Sequence, residues 1–280
     1  MSATRSDRTP GRAKTTVKGR VAGASKPAGE GTFAPHTGET IFDDQSLRFR
    51  SLTLQPPELS TLGDAALIPR GFKIRVARRT GGRREAGILV ERRYTGRGYT
   101  VPTAGTDPQL STFLAYDDGQ LVGTVGVRLD GDKGLSADEL YRTEIDRLRL
   151  AGCRLCEFTR LAIDKAAASK PVLAGLFHTA YLYAAVIRGY THAVIEVNPR
   201  HVLFYDKALN FQPIGPQRLN QRVNAPAVLL GLRFATIEEG LREYAGKTEK
   251  SAPARSLYPY GFPPDEEAGV LARLRKLVPA

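Results

Sequence analysis

The amino-acid sequence predicts an α/β (α+β) fold, in which a mixed, mostly antiparallel sheet is flanked by helices. Three observations lead to this prediction. From residue 153 onward, strand-like and helix-like segments alternate, which is typical of βαβ units with parallel strands. Upstream, two alternating apolar segments flank the turn Asp117-Asp118-Gly119, which indicates an antiparallel hairpin. The chain has 280 residues, of which 41% are hydrophobic, so it can bury a sizeable core.

The first half of the predicted fold ends in a helix with a clear start signal. Its earlier elements are a strand at 72–78, a short basic helix at 85–94, and hairpin strands at 111–117 and 120–129. Ser136-Ala-Asp-Glu139 has the pattern of a capping box, supported by a Leu135–Leu140 hydrophobic staple. This pattern predicts a helix that ends near Arg149.

The second half centres on an apolar helix between two strands. Ser169 is predicted to cap this helix, which ends near Gly189. The other predicted elements are strands at 153–163 and 193–197, a helix at 201–208, and strands near 211–214 and 226–234. Thr236-Ile-Glu-Glu239 is predicted to cap one more helix, and residues 265–277 form a terminal amphipathic helix.

Composition shifts along the chain predict four regions. Residues 1–45 form a disordered basic arm, because seven basic residues oppose two acids in the first 30 and little apolar surface is available. Residues 46–71 are an irregular lead-in that contains several prolines. The folded domain spans residues 72–245, and residues 246–280 are a linker followed by a helix.

Charge and cysteine content exclude several classes of protein. The formal net charge of +12 excludes an acidic disordered protein and favours an acidic partner or surface. Two cysteines cannot form a disulfide framework, and Cys153 and Cys156 lack the further ligands of a zinc site, so no metal is expected. No apolar run reaches the length of a membrane span, and no secretory signal is visible. A cytoplasmic protein without a transmembrane segment is expected.

Basic residues concentrate between Lys73 and Arg97, where nine of them oppose Glu85 and Glu91. Arg92, Arg93 and Arg97 are the candidates for docking an acidic protein partner. A solvated basic surface is the simpler interpretation. A nucleic-acid-binding stripe is an alternative, but no recognised nucleic-acid motif accompanies it.

Ionisable residues also occur within apolar strand patterns, where a charge is costly unless it is paired. Glu157 and Arg160 precede an apolar segment, and on a regular strand they face opposite sides, so their pairing requires a bulge. Glu196 lies within 193–197, and its expected burial suits a general base or an amine-binding group. Structural roles for these residues are the alternative. His178, in the most apolar helix, is interpreted as a core histidine.

Residues 157–211 resemble the GNAT acyltransferase superfamily. The similarity includes the strand at 158–163, the long helix, the strand at 193–197, and then Asn198-Pro-Arg-His201, Tyr205 and Phe211. The resemblance implies that the central parallel strands splay apart and that the pantetheine arm of the acyl donor lies in the gap. It also implies that Tyr205 protonates the leaving thiolate. One extra residue before Phe211 departs from the usual spacing.

Residues 164–171 differ from the superfamily members that use coenzyme A. Those members have a Gly-rich turn whose backbone amides bind the pyrophosphate, whereas this chain reads Asp-Lys-Ala-Ala-Ala-Ser-Lys-Pro. Acyl carrier protein presents its phosphopantetheine arm through a single phosphodiester, and it is acidic. The resemblance therefore implies acyl carrier protein as partner and donor, with no permanently bound cofactor and no nucleic acid.

Longer motifs resemble the long-chain N-acyl amino acid synthases, a branch related to acyl-homoserine lactone synthases. These motifs are Gly123-Thr-Val-Gly-Val-Arg-Leu-Asp130, Ile195-Glu-Val-Asn-Pro-Arg-His201, Ile214-Gly-Pro-Gln-Arg-Leu219 and Val223-Asn-Ala-Pro-Ala-Val228. The implied reaction joins a fatty acyl group to the α-amine of an amino acid. The alternatives are a lactone synthase that uses S-adenosylmethionine and an N-acetyltransferase that uses coenzyme A.

The resemblance and the charge pattern together assign expected roles to residues. The catalytic group is Glu157, Arg160, Glu196 and Tyr205. Donor binding is expected at Leu161, Ala162, Ile163, Asn198 and His201. The expected acyl pocket on the apolar helix comprises Leu173, Leu176, Phe177 and Tyr181, for which ordinary core packing is the competing interpretation.

Overall fold

The computed structural model describes residues 40–43, 72–77, 80–95, 107–164, 169–250 and 255–277. A twisted sheet forms its centre. The strands are β1 (Thr40–Asp43), β2 (Phe72–Val76), β3 (Leu110–Asp117), β4 (Gln120–Leu129), β5 (Leu155–Ile163), β6 (His192–Val197), β7 (Gln212–Pro213), β8 (Arg218–Asn220) and β9 (Ala225–Arg233). The helices are α1 (Thr80–Thr95), α2 (Asp138–Leu150), α3 (Lys170–Tyr181), α4 (Val202–Leu209), α5 (Phe234–Tyr244) and α6 (Pro264–Leu277).

The strand order is β1-β2-β3-β4-β5-β6-β9-β7, and β8 pairs with β9. All described neighbouring pairs are antiparallel except β5 and β6, which are parallel. The predicted mixed sheet with one central parallel pair is therefore confirmed. The predicted hairpin turn between β3 and β4 is present: Asp118 and Gly119 both have positive φ, 47° and 78°, which is typical of a two-residue type I′ turn.

Side chains on the two faces of the sheet form separate cores. On the face covered by α3, the main cluster includes Phe72, Phe113 and Phe158. On the opposite face, α2 packs against Leu155, Val194 and Leu229, while α1 packs against Leu114 and Ala162. We call these the α3 face and the α2 face of the sheet.

The predicted apolar helix is present and is capped by Ser169, whose Oγ accepts a hydrogen bond from the backbone N–H of Val172 at 3.4 Å. It continues from α3 into a π-helical segment, Leu182–Ile187, and ends before Gly189, which has a φ of 68°. By length and hydropathy alone this is a candidate membrane span, but 72% of it is buried inside the protein. It is a core helix on the α3 face.

Two predicted helix starts are wrong. α2 begins at Asp138 with Ala137 as its N-cap, and Ser136 instead directs its backbone N–H to Glu157. α5 begins at Phe234, so Thr236 lies within its first turn and does not cap it. In both places tertiary contacts of the preceding residues override the local capping pattern.

Two regions differ from the predicted domain plan. Residues 40–43 form β1 on the edge of the sheet, so the prediction of disorder up to residue 45 fails for these four residues. The C-terminal part, predicted as a linker and a helix, contributes Leu257, Phe262 and Leu274 to the main core. The rest of the predicted arm and lead-in, 1–39 and 44–71, lies outside the described residues.

Cys153 and Cys156 are both reduced, and they belong to clusters on opposite faces of the sheet, as predicted from their odd spacing. Among the described residues, no group of His, Cys, Asp or Glu side chains is arranged to hold a metal ion.

Candidate active site

The central parallel strands separate partway along their length. β5 and β6 pair only at Leu155–His192, Cys156–Ala193 and Glu157–Val194. Beyond this point β5 stays paired with β4 as far as Ile163, whereas β6 stays paired with β9 as far as Val197. A gap therefore opens between the carboxyl ends of the two strands, immediately after Glu157. The edge of β5 along this gap carries backbone groups that have no neighbouring strand.

A β-bulge interrupts β5 inside this gap. Thr124 pairs with Ala162 and Gly126 with Thr159, so Arg160 and Leu161 together lie opposite Val125. Arg160 has a φ of 51°, a left-handed conformation that is unfavourable for a residue with a Cβ atom. The bulge reverses the alternation of side chains: Leu161 packs on the α3 face and Ala162 on the α2 face. Ile163 joins Leu161 on the α3 face.

Glu157 lies at the point where the strands separate and is only 3% exposed. One of its carboxylate oxygens accepts a hydrogen bond from the backbone N–H of Ser136 at 2.6 Å. Burial raises the pKa of Glu157, and the nearby charge of Glu196 raises it further. The predicted bulge near Glu157 and Arg160 is present, but the ion pairs of the described residues do not include one between these two side chains.

Arg160 is half-buried beside other charges. Burial lowers its pKa, the charge of Arg128 lowers it further, and Asp107, Tyr94 and Glu157 act in the opposite direction. Asp107 itself forms an ion pair with Arg128. Within the described part of the chain, the guanidinium of Arg160 has no hydrogen-bond partner. This guanidinium is therefore available to bind an anionic group.

Glu196 lies on the α2 face, like Glu157, and is mostly buried. Its carboxylate accepts a hydrogen bond from the side-chain amide of Asn220, and Arg222 Nη2 lies 3.5 Å from Oε2. Arg222 also contacts Glu139, with 3.1 Å between its Nε and Oε2 of the glutamate. Burial raises the pKa of Glu196, although the Asn220 hydrogen bond and the charge of Arg222 act in the opposite direction.

Asn220 and Arg222 are functional candidates that the sequence analysis missed. Asn220 is the last residue of β8 and Arg222 lies in the turn that leads to β9, where the side chain of Asn220 also accepts a hydrogen bond from the backbone N–H of Arg222 at 2.9 Å. A polar residue at the end of a strand, with a basic residue in the turn that follows, was the available signal. It did not identify Glu196 as the partner, because the residues that meet are 24 and 26 positions apart.

Tyr205 lies on the opposite face of the sheet from the two glutamates. Its ring is in edge contact with the rings of Phe177, at a centroid distance of 6.3 Å, and of Phe211, at 6.0 Å. The structure therefore places the acidic groups on one side of the gap and the expected proton donor on the other. This arrangement allows an acyl donor in the gap to meet an acceptor from the α2 face.

Asn198 and His201 lie in the turn that connects β6 to α4. The amide of Asn198 donates to the carbonyl oxygen of Pro226 at 3.2 Å, and its oxygen accepts the N–H of Arg200 at 3.2 Å. His201 Nε2 accepts a hydrogen bond from Arg200 Nε at 3.2 Å. These contacts fix the end of β6 beside β9.

The basic cluster lies mainly on α1, close to the end of β5. Tyr94 Oη donates to the carbonyl oxygen of Leu161 at 3.5 Å, which ties α1 to the bulged part of the strand. The side chain of Arg92 is 62% exposed and forms an ion pair with Asp164 at 2.5 Å. Arg93 is half-buried. Arg97 lies outside the described residues, as do positions 165–168 of the turn that lacks glycine.

An apolar cavity lies on the α3 face next to Tyr205. Phe158, Phe177, Phe211 and Leu232 form part of its wall. Of the four residues expected to form the acyl pocket, Phe177 lines this cavity. Leu173, Leu176 and Tyr181 lie on the same helix outside the cavity lining, and Leu176 is fully buried in the core.

Comparison with known proteins identifies one family and several solved structures to which this chain is similar. The family model described as N-acyl amino acid synthase FeeM matches residues 85–233. The solved structure of FeeM, an N-acyl amino acid synthase from uncultured soil microbes, shares 28% sequence identity with this chain. The similarity covers 59% of this chain and 92% of that one, with a TM-score of 0.55.

More distant structures are also similar to parts of the chain. An acetyltransferase of the GNAT family from Streptococcus pneumoniae is 16% identical over 58% of this chain and 99% of its own, with a TM-score of 0.42. The AHL synthase LasI is 16% identical over 58% of this chain and 90% of its own, also with a TM-score of 0.42. A search of curated protein sequences finds no match. Because the FeeM family model matches more than half of the 280 residues, the chain belongs to the N-acyl amino acid synthase FeeM family and is an acyltransferase.

Proposed function

We propose that this acyltransferase moves a long-chain fatty acyl group from acyl carrier protein to the α-amine of an amino acid. The observation that carries the proposal is a pair of acids, the buried Glu157 and the mostly buried Glu196, on one side of the gap between β5 and β6, in a chain of the FeeM family. Acids in such a position suit an amine acceptor, which must be bound and deprotonated before it attacks.

Two features support acyl carrier protein as the donor rather than coenzyme A. Residues 164–171 contain no glycine that could form a pyrophosphate-binding turn. The basic helix α1 lies beside the end of β5, where a pantetheine arm would enter the gap. An acidic carrier protein docked there would extend its arm between β5 and β6, and the proposed reaction would take place in the cytoplasm.

The amino acid acceptor would approach from the α2 face. Its carboxylate would bind the available guanidinium of Arg160 through paired hydrogen bonds. Its amine would lie near Glu196, which is held by Asn220 and Arg222. The buried carboxyl of Glu157 would shape this pocket through its bond to the backbone of Ser136.

The reaction itself needs one proton transfer on each side of the gap. An α-amine has a pKa near 8, so it gives its first proton to solvent water and binds as the free amine. The amine nitrogen then attacks the thioester carbonyl carbon, and Glu196, acting directly or through water, takes the second proton that this nitrogen loses and later passes it to solvent. Backbone N–H groups along Leu161, Ala162 and Ile163 would stabilise the oxyanion. The carbon–sulfur bond breaks, and Tyr205 would protonate the departing thiolate and regain its proton from solvent, while Asn198 and His201 line the path of the donor.

Mass spectrometry of the products tests donor class and reaction together. The purified protein is offered long-chain acyl carrier protein or the matching acyl-CoA, each with mixed amino acids. We expect an N-acyl amino acid from the carrier-protein donor alone, and its mass identifies the acceptor. Product from acyl-CoA at an equal rate would overturn the assigned donor. If neither donor gives an amide, a lactone formed on addition of S-adenosylmethionine would replace the proposal with a lactone synthase.

A further inference from the structure

A cysteine and a histidine meet at the end of the central parallel strands that lies opposite the gap. Cys153 is half-buried just before the start of β5, and His192 is the first residue of β6. The Sγ atom of Cys153 lies 3.8 Å from Nε2 of His192, close enough for the thiol to donate a hydrogen bond. The amide-forming reaction proposed above uses neither of these two residues.

The hydroxyl group of Thr191 determines which nitrogen of His192 carries the proton. Thr191 Oγ1 accepts a hydrogen bond from the backbone N–H of Arg154 at 3.0 Å and donates its own hydrogen to the carbonyl oxygen of Arg154 at 3.3 Å. The same oxygen lies 2.9 Å from Nδ1 of His192. Because a hydroxyl has one hydrogen to donate, Nδ1–H must be the donor in this contact. Nε2 therefore carries the lone pair that faces the thiol.

The three side chains form a nucleophile, a base and a group that orients the base, which is the signature of an activated nucleophile. We call Cys153, His192 and Thr191 the thiol relay. Burial lowers the pKa of His192, and the charge of Arg233, its neighbour on β9, lowers it further. The imidazole is therefore neutral at neutral pH and can accept the proton of the thiol.

The two cysteines of the chain differ in access to solvent. Cys153 is flanked by the exposed residues Gly152 and Arg154, so a reagent can reach its sulfur atom. Cys156 is fully buried in the main cluster on the α3 face, and burial raises the pKa of its thiol. A thiol in such surroundings is unreactive. Cys156 therefore serves as an internal reference for the reactivity of Cys153.

Leu150 gives the thiol relay an apolar neighbour. Its side chain is 88% exposed, more than any other large hydrophobic side chain in the described part of the chain. The backbone turns back between the two residues, because the N–H of Cys153 donates to the carbonyl oxygen of Leu148 at 3.0 Å. An alkyl chain that covered Leu150 would remove apolar surface from water. A reagent that carries an alkyl chain therefore suits this part of the surface.

An acyltransferase encounters such a reagent in its own donor, a thioester whose carbonyl carbon is open to attack by a thiol. We propose that Cys153 is a site of S-acylation, at which the thiol relay accepts a long-chain acyl group from an acyl thioester. Nε2 of His192 takes the thiol proton as Sγ attacks the carbonyl carbon. The carbon–sulfur bond of the donor breaks, and the imidazolium returns the proton to the departing thiolate. The acyl group remains on Cys153 as a new thioester.

Mass spectrometry of the protein after incubation with palmitoyl-coenzyme A tests this proposal. We expect one palmitoyl group on the peptide that contains Cys153, removed by neutral hydroxylamine, and none on Cys156. His192→Asn should slow the labelling about 100-fold because the base is lost. Thr191→Val should slow it less, because the imidazole loses only its orienting partner. Equal labelling rates in the wild type and in both variants, each with the unfolding temperature of the wild type, would overturn the role of the relay.

Iodoacetamide, a small electrophile without an alkyl chain, separates thiol activation from acyl recognition. Leu150→Ser should slow labelling by palmitoyl-coenzyme A several-fold and leave alkylation of Cys153 unchanged. Leu203→Ser is the matched control, because Leu203 is an exposed leucine on α4, beyond the carboxyl end of β6, and it should change neither rate. If iodoacetamide alkylates Cys153 but palmitoyl-coenzyme A leaves it unlabelled, the thiol is not an acyl acceptor and the proposal fails.

Cys153→Ser separates this site from the proposed amide-forming centre. It should abolish the hydroxylamine-sensitive label and leave amide formation unchanged, because Cys153 and the gap lie at opposite ends of the parallel strands. Loss of amide formation in this variant would make Cys153 an intermediate of the main reaction and would overturn its assignment as a separate site. A wild type that forms no amide but is labelled at Cys153, with the expected variant effects, contradicts the proposed function and supports the S-acylation site.

Discussion

Glu157 and Glu196 lie on one face of the sheet with different environments, which suggests different tasks. Glu157 is almost fully buried and bonds to the backbone of Ser136. Glu196 is held by Asn220 and Arg222, whose positions depend on the β8–β9 hairpin. Burial raises the pKa of both carboxyls. Their effects on turnover and on stability can therefore be separated by experiment.

Replacing Glu196 by Gln should lower kcat about 100-fold, because the amide keeps the shape and the Asn220 contact but cannot take a proton. Burial raises the pKa of Glu196. The apparent pKa of the acidic limb in the wild-type pH profile of kcat/KM should therefore be higher than that of an ordinary glutamate. That limb should disappear in the variant. Steady-state kinetics across pH measure both effects.

Glu139→Gln is the control for this prediction, because Glu139 contacts the same arginine, Arg222, from the exposed side. It should leave kcat unchanged and keep the acidic limb, moved only slightly to lower pH, because the charge of Glu139 is the last of the causes that raise the pKa of Glu196. Normal turnover in Glu196→Gln would remove the assigned role of Glu196.

Glu157 should lower the stability of the protein at neutral pH. Its folded-state pKa is raised by burial, so its contribution to stability is present below pH 4.5 and is lost as the pH rises through the folded-state pKa. Glu157→Gln avoids this loss, so its free energy of unfolding should exceed that of the wild type by about 1–3 kcal/mol near neutral pH. Urea unfolding across pH should show the difference shrinking toward acid.

Glu144→Gln should behave in the opposite way. Hydrogen bonds from Arg218, at 2.6 and 3.0 Å, lower the pKa of Glu144. This pair therefore stabilises the fold at pH values above the pKa of an ordinary glutamate, and the contribution is lost as the pH falls through the lowered pKa. The variant should be less stable than the wild type at neutral pH. Equal pH profiles for the two variants would contradict both assignments.

At the scale of elements, the bulge in β5 accounts for the position of Arg160. The extra residue places the arginine in a left-handed conformation inside the gap and reverses the side-chain alternation that follows. An unfavourable backbone conformation next to a gap with buried acids is typical of a functional site. The conformation costs stability, and the guanidinium it positions is the group expected to bind the acceptor.

Replacing Arg160 by Gly should separate these two effects. Glycine tolerates the positive φ, so the backbone should gain about 1 kcal/mol, which opposes any loss of side-chain packing. Loss of the guanidinium should raise the KM for the amino acid at least tenfold, since a paired charge-assisted hydrogen bond is removed. Acceptor titrations at saturating donor and thermal unfolding measure the two effects.

Arg255→Gly is the matched control, because Arg255 has a φ of 48° and lies exposed in the segment before α6. It should give the same backbone gain with no change in KM. An unchanged KM in Arg160→Gly as well would mean that another group, such as Arg222, binds the acceptor carboxylate.

At the scale of the whole molecule, charge and apolar surface are arranged on different sides of the gap. The basic helix α1 borders the end of β5 on the α2 face, and the apolar cavity lies on the α3 face. This arrangement would let an acidic carrier protein dock beside the end of β5, away from the apolar side. The formal net charge of +12 favours association with an acidic partner.

Charge reversal at Arg92 and Arg93 tests the docking side. Each reversal should raise the KM for acyl carrier protein several-fold at low salt and leave kcat unchanged, because the contact is made away from the reacting atoms. Since Arg92 pairs with Asp164, Arg93→Glu is the cleaner variant. Arg275→Glu, a change at an exposed residue of α6, is the control for net charge. Equal effects at Arg93 and Arg275 would show that only overall charge matters.

Local periodicity predicted much of the sheet. The β3–β4 hairpin, the parallel β5–β6 pair and the Ser169 cap all follow from alternation, apolar runs and turn residues, which are local properties. β1 and β8 have only four and three residues and no such signal, so they were missed. Residues 255–264 were predicted as part of a linker because their prolines indicate turns, whereas the burial of Leu257, Tyr258 and Phe262 depends on distant partners.

The sequence by itself therefore determined the order of the main elements, the family resemblance and the presence of acids and arginines in apolar strands. Only the tertiary structure decided what those residues contact: Glu157 with the backbone of Ser136, and Glu196 with Asn220 and Arg222. It also decided that Leu257, Phe262 and Leu274 of the C-terminal part join the main core on the α3 face. The physical reason is that periodicity reports which face a residue occupies, whereas a site depends on which distant segments bring their polar groups to that face.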